Sequence, residues 1–289
     1  MRLALHSLTT RHCNCLTEVR LARDLGYDGV EFMVAKYLRY LDNGGTPQAL
    51  RAACEAAGTP AVCLNALAPV DRFDSAGHAA LVAECERLSA AAAGLGCPTI
   101  QLVFLTELAG YPWPEARKLT ARNAAEMCDI GRAHGIRFQL EPIAWAPMHS
   151  LAQTLEVIEE AGRDNLGTVI DFWHLWAGEA TTPDEVARLD QSLIYGIHIC
   201  DGKRRAPGAL WDEGAQRGFL PGDGDIPVGD WVAAVKATGY DGVWSAETYS
   251  PTHWEDDLYD LAADCRARVL AYIDPAHRVE TGPTAAERR

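Results

Sequence analysis

Four apolar runs in this chain end at or near residues able to do chemistry. FQLE closes at Glu141, TVID at Asp171 and VWSAE at Glu247, while IYGIHIC, residues 194–200, carries His198. Three carboxylates and one imidazole form a hard, oxygen-rich donor set. It suits Mn²⁺, Co²⁺ or Mg²⁺, with Zn²⁺ left open. A strand-end acid facing solvent, or a hydrogen-bonded core histidine, explains any one of these residues alone. Four of them at successive run ends point instead to one divalent ion.

Other residues near these run ends can serve a substrate. His174 follows Asp171 by three positions in DFWHLW, between Trp173 and Trp176. Aromatic walls beside a polar tip suit the face of a sugar ring, but a buried aromatic cluster around one histidine has the same spelling. Trp145, Trp211 and Trp254 also stand near run ends. Arg204 and Arg217 lie in a polar, glycine-rich stretch that follows residue 200. Either binds substrate oxygens or is solvated, and Arg217, just ahead of PGDGDIP, is the better candidate. Asp212, Glu213, Asp223 and Asp225 read as surface or turn residues.

The elements that position these residues alternate. Strands are expected at 2–6, 30–32, 61–65, 99–104, 137–141, 167–171, 194–200 and 243–247. Helices are expected at 16–25, 47–57, 79–95, 114–134, 151–161, 183–189, 231–237 and 256–272. Gly94 and Gly96 stop one helix, and Thr182 ahead of Pro183 starts another. This rhythm predicts a parallel (β/α)8 TIM barrel over residues 1–274, with outer helices. The four candidate ligands then stand on strands five to eight, at the end where such barrels build their sites. No G-x-G-x-x-G follows the first strand, which argues against a dinucleotide-binding sheet. GYDGV occurs at 26–30 and again at 239–243, each time between a helix and a strand. This repeat reads as a structural turn on the opposite face. Residues 275–289 read as a loose polar tail.

Composition narrows the partners. The chain has 289 residues, 48% hydrophobic, and a formal net charge of −14. That length and content suit a large core. An acidic surface disfavours nucleic acid and anionic lipid. Nine cysteines, scattered through apolar and helical segments, read as free thiols in a reducing compartment. His12, Cys13 and Cys15 lack a second Cys/His pair at zinc-site spacing. No run reaches membrane-span length and the first residues do not form a signal peptide, so a soluble, cytoplasmic protein is expected. A homo-oligomer is left open.

LEP at 140–142, RDNLGTVIDFWH at 163–174, IHICD at 197–201, RGFLPGDGDIP at 217–227 and GYDGVWSAETYSPTHW at 239–254 resemble the xylose-isomerase-like barrel superfamily. Within it they look most like its 2-keto-myo-inositol isomerase branch. The pattern is dense in the second half. The first half fits through strand rhythm and GYDGVEF.

The resemblance implies that Glu141, Asp171, His198 and Glu247 bind one divalent metal, Mn²⁺ first among the candidates. It implies that His174 and Arg217 contact substrate, and Trp173 joins them as an expected wall. The implied activity is isomerisation or epimerisation of a keto-sugar or keto-cyclitol. In it, the metal polarises a carbonyl and stabilises an enediolate while Glu141 and Glu247 carry the proton. Relatives that share these ligands include dehydratases and lyases acting on keto-sugars, inososes and 3-keto-glycosides. A repair nuclease of the endonuclease IV group expects a larger, histidine-rich set for three metals. A sugar-binding barrel without catalysis is the remaining alternative.

Overall fold

The computed structural model describes residues 1–274 of the chain. The expected tail at 275–289 lies outside the described residues. Eight strands close a barrel in chain order. They are β1 Arg2–His6, β2 Gly29–Met33, β3 Ala61–Leu67, β4 Thr99–Val103, β5 Arg137–Glu141, β6 Leu166–Asp171, β7 Ile194–Ile199 and β8 Val243–Ala246. Every neighbouring pair is parallel, including β1 with β8. The (β/α)8 barrel expected from the rhythm is therefore the fold.

The eight expected helices are present at Cys15–Leu25, Pro47–Ala57, Ser75–Leu95, Trp113–Arg132, Leu151–Ala161, Pro183–Val186, Val228–Ala237 and Leu258–Ile273. Their first turns leave backbone N–H groups without helical partners. Side chains of Asn14, Thr46, Asp74, Ser150, Thr182 and Asp257 accept from those groups. Asp74 explains why one helix starts at Ser75 and not at residue 79. Thr182 and Glu185 complete a capping box.

Among the described residues three further α-helices stand beside the expected eight, Val34–Asp42, Phe172–Ala177 and Glu213–Gln216. The first starts on the residue after β2, with no side-chain cap to mark the junction. The second starts directly after β6, with Asp171 as its cap.

The strands place their side chains alternately. Leu3 and Leu5 of β1 join the main apolar cluster, while Ala4 belongs to a small separate one with Val62, Cys63 and Val243. His6 continues the Ala4 face by the two-residue period of a strand. Glu31, Gln101, Gln139, Glu141, Asp171, His198 and Ser245 are buried polar residues at comparable positions on their strands. The GYDGV repeat is structural, as expected. Gly26 and Gly239 adopt φ of 73° and 84°, a region that favours glycine. Tyr27 and Tyr240 each donate a hydroxyl hydrogen to a backbone carbonyl, of Ala262 and Val243. All nine cysteines are buried and free. Among the described residues no helix is long and apolar enough to cross a membrane.

Candidate active site

Glu141 and Asp171 are the last residues of β5 and β6, and His198 is the fifth of six in β7. Glu247 falls one residue beyond β8, yet its N–H still bonds to the Ile199 carbonyl at 3.0 Å. Successive strand ends of a closed barrel converge. Donor atoms of Glu141, Asp171, His198 and Glu247 accordingly lie within 4.8 Å of one another, all buried. His198 Nδ1 is 2.9 Å from Glu247 Oε2, 3.3 Å from Glu141 Oε1 and 3.7 Å from Asp171 Oδ2.

Arg217 reaches into this cluster from the loop after β7. Its Nη2 is 2.7 Å from Asp171 Oδ2 and 2.5 Å from Glu247 Oε2. Its Nη1 is 3.1 Å from His174 Nε2, and its Nε is buried with no hydrogen-bond partner. The two glutamates respond oppositely to their surroundings. Burial, with Glu247 and Asp171 nearby, pushes the Glu141 carboxyl up to about 8 against the help of His198. Burial also opposes charge on Glu247, but Arg217, His198 and His6 outweigh it and hold Glu247 well below the usual carboxylate range.

His174 sits in the helix Phe172–Ala177. Asp171 Oδ1 accepts from the His174 N–H at 2.7 Å, so one carboxylate caps this helix and faces the cluster. His174 Nδ1 accepts from Ala144 N–H at 3.2 Å. A neutral imidazole has one acceptor nitrogen. With Nδ1 accepting from a backbone group, Nε2 carries the proton, and its contact with Arg217 Nη1 sets donor against donor. Burial and the nearby Arg217 keep this ring neutral by lowering its pKa.

Residues 19–269 match the family model described as the xylose isomerase-like TIM barrel. The chain belongs to that family. It is 25% identical to an inosose isomerase of Halalkalibacterium halodurans over 94% of this chain and 97% of the relative. It is 24% identical to a 3-dehydroshikimate dehydratase of Pseudomonas aeruginosa over 78% of this chain, which spans only 34% of that protein. A crystal structure of the IOLI protein with a bound zinc atom superposes with a TM-score of 0.89 at 22% identity, covering 96% of this chain and all of the other.

The aromatic residues divide by exposure. Trp173 is fully buried, and its indole N–H donates to the Gln216 carbonyl at 3.1 Å. Its ring packs edge-on at 6.0 Å from both Trp145 and Trp211, which are half-buried. His174 packs against both Trp173 and Trp145, 5.0 Å from the first ring and 5.3 Å from the second, and the Arg217 guanidinium lies 5.5 Å from the Trp173 ring centre. Trp176 lies under Arg204 at 4.0 Å, and Trp254 donates to the Leu8 carbonyl. Arg204 is exposed and pairs with Glu179 at 2.7 Å, which places it on the solvated surface. Asp223 and Asp225 pair with Arg268 and Lys203 at the surface, as turn residues do. Asp212 caps the helix Glu213–Gln216, while Glu213 stands 3.7 Å from Arg217.

Several residues around the cluster escape the motif reading. His6, the last residue of β1, is found by the strand-end rule, while Glu31, third of five in β2, is not. Gln101 donates to Glu141 Oε2 at 2.8 Å and accepts from Gln139 at 2.8 Å. Asp201 holds the PGDGDIP turn, because its carboxylate accepts from the N–H groups of Gly202, Gly222, Gly224 and Ile226 at 2.7–3.1 Å. No spacing rule links Asp201 to a turn twenty residues away.

Proposed function

We propose that this chain is a divalent-metal-dependent isomerase acting on a keto-cyclitol such as an inosose, or a closely related keto-sugar, through an enediolate. The observation that carries the reading is the buried cluster of Glu141, Asp171, His198 and Glu247 at four consecutive strand ends. Inosose isomerases matched over nearly the whole chain support the substrate class. The donor set fits a divalent ion. Three buried carboxylates around one imidazole carry excess negative charge, and Arg217 is the only guanidinium bonded to them among the described residues. Glu141, Asp171, His198 and Glu247 would hold the ion. Oxygen-dominated ligands favour Mn²⁺, with Co²⁺, Mg²⁺ and Zn²⁺ as the alternatives.

When bound, the ion supplies electrophilic polarisation of the substrate carbonyl and its neighbouring hydroxyl. The remaining work belongs to the chain. One of Glu141 and Glu247 takes the proton from the carbon beside the carbonyl. The same or the opposite carboxylate returns one to the neighbouring carbon, and the hydroxyl proton passes to the former carbonyl oxygen. Through Nε2–H, His174 donates to a substrate oxygen where negative charge develops. Arg217 turns from the carboxylates toward substrate hydroxyls, and its unpartnered Nε gains an acceptor. Trp145 and Trp173 shape the wall beside them and help to exclude water.

The test is turnover of an inosose and ketose panel in heavy water with Mn²⁺. Deuterium on the former carbonyl carbon supports isomerisation. Label at an inverted stereocentre means epimerisation. A substrate deuterated beside the carbonyl checks for a shielded base that returns the same proton. Turnover without label, transfer or a slowed rate sinks proton abstraction. A second reading, dehydration of a keto acid, has the Pseudomonas aeruginosa relative in its favour. Loss of water with formation of an enone identifies it.

A further inference from the structure

We propose that Glu31 is a positioning residue. It holds the far nitrogen of His198 and so sets the divalent-ion affinity of the four-residue cluster. This inference rests on the metal reading above. His198 turns Nδ1 toward Glu141, Asp171 and Glu247. Its Nε2 points the other way, 3.1 Å from Glu31 Oε1. A neutral imidazole that offers the Nδ1 lone pair to an ion carries its proton on Nε2. Glu31 is placed to accept that proton's hydrogen bond. Glu31 is held in turn, because Ser245 donates from Oγ to Oε2 at 2.7 Å. The strand registers enforce the arrangement: His198 lies opposite Ser245, and His6 opposite Glu31. All four are buried.

The same residues invite a different reading. Donor atoms of His6, Glu31 and His198 lie within 4.8 Å of one another, a spacing that suits a second ion. The tautomer of His6 argues against it. Leu8 N–H donates to His6 Nδ1 at 3.0 Å, so Nε2 of the neutral ring bears the proton. That nitrogen faces Glu31 Oε1 at 3.6 Å and Glu247 Oε1 at 3.5 Å. The Asn65 amide is 3.3 Å from it, and its oxygen accepts the proton after an amide flip. A protonated nitrogen is not a ligand. His198 would have to bridge two ions through both nitrogens. Glu31 is instead bonded to His198 alone of the two rings, with the His6 ring packed edge-on beside that of His198 at 5.1 Å.

Carboxylates that accept from a ligating histidine change metal affinity by about 10–100-fold. The experiment is titration calorimetry of metal-free wild type, Glu31→Gln and Ser245→Ala with Mn²⁺ and with Zn²⁺. Melting temperatures of the metal-free proteins are measured alongside. Glu31→Gln keeps the side-chain volume and an acceptor oxygen but loses the charge. The expected result is one ion per wild-type chain and affinity about 10–100-fold weaker in Glu31→Gln. Ser245→Ala should weaken it in the same direction by less, with its metal-free melting temperature near wild type. Should Glu31→Gln fail to fold, Ser245→Ala carries the test: weaker binding supports the role and wild-type affinity overturns it. Wild-type affinity in a folded Glu31→Gln protein overturns the positioning role and leaves the metal reading standing. A second ion in wild type that Glu31→Gln loses overturns it in favour of a second site. Wild type that binds neither metal overturns the metal reading and this inference with it.

Discussion

At the scale of single residues, the cluster assigns different losses to neighbouring histidines. His198 points Nδ1 at all three carboxylates, whereas the His174 ring nitrogens face Arg217 and the Ala144 backbone. His198→Ala leaves three carboxylates with no neutral donor among them. Its metal affinity should fall by more than the about 10–100-fold that outer partners control. Elemental analysis of the purified variant should find it largely metal-free, and wild-type metal content there overturns the assignment. His174→Ala should keep its metal and lose about 10²–10³-fold in kcat, the usual cost of one donor to a developing oxyanion. A metal-free His174→Ala protein would place His174 among the ligands instead. Arg217→Ala should behave as His174→Ala does, with metal retained and turnover lost. Wild-type rates in that variant remove Arg217 from the substrate contacts.

At the scale of elements, a buried ion pair braces the loop between β1 and the helix Cys15–Leu25. Lys36, on the helix Val34–Asp42, pairs with Glu18 and donates to the carbonyls of Ser7 and Thr10 at 2.9 and 2.7 Å. Glu18 accepts from the hydroxyls of Ser7 and Thr10. Thr9, between them, donates to the Ala246 carbonyl and accepts from Thr248 N–H, on either side of Glu247. Removing one partner of a buried pair strands the other charge, at a cost of about 3–5 kcal/mol. Lys36→Met should lose stability of that order in urea unfolding, and the double variant with Glu18→Leu should recover much of it. Equal stability of Lys36→Met and wild type would show that the pair does not brace the loop. None of this bracing is legible in the sequence. Glu18 and Lys36 lie on helices that only the closed barrel brings together, and Val34–Asp42 has no capping side chain to announce it. Glu141 and Asp171 are legible because each ends an apolar run at the strand's last residue. His6 ends β1 and obeys the same rule, whereas Glu31 is the third of five residues in β2 and is hidden inside its run. Trp173 is suggested by its place beside His174, whereas Trp145 and Trp211, which pack against it, come from other loops and share no motif with it.

At the scale of the whole molecule, the formal net charge of −14 separates the two candidate reactions. A keto-cyclitol is neutral, and the field of an acidic protein neither attracts nor repels it. A keto acid is an anion and must approach against that field. Salt weakens the field, with a Debye length of about 8 Å at an ionic strength of about 0.15 M. The effect belongs in kcat/KM, which includes capture from solution, and not in kcat, which starts from the bound complex. For an isomerase of inososes, kcat/KM at saturating metal should therefore stay flat as an inert salt is raised from about 0.01 M to about 0.15 M. For a dehydratase acting on a keto acid, kcat/KM should rise over the same range while kcat holds. Metal affinity is followed in parallel, because an ion held by three carboxylates binds more weakly in salt and would lower both constants together. A neutral inosose whose kcat/KM changes severalfold at constant kcat and full metal occupancy would contradict this account of capture. A keto acid turned over faster than any inosose, with kcat/KM climbing with salt, would transfer the assignment to the dehydratase reading.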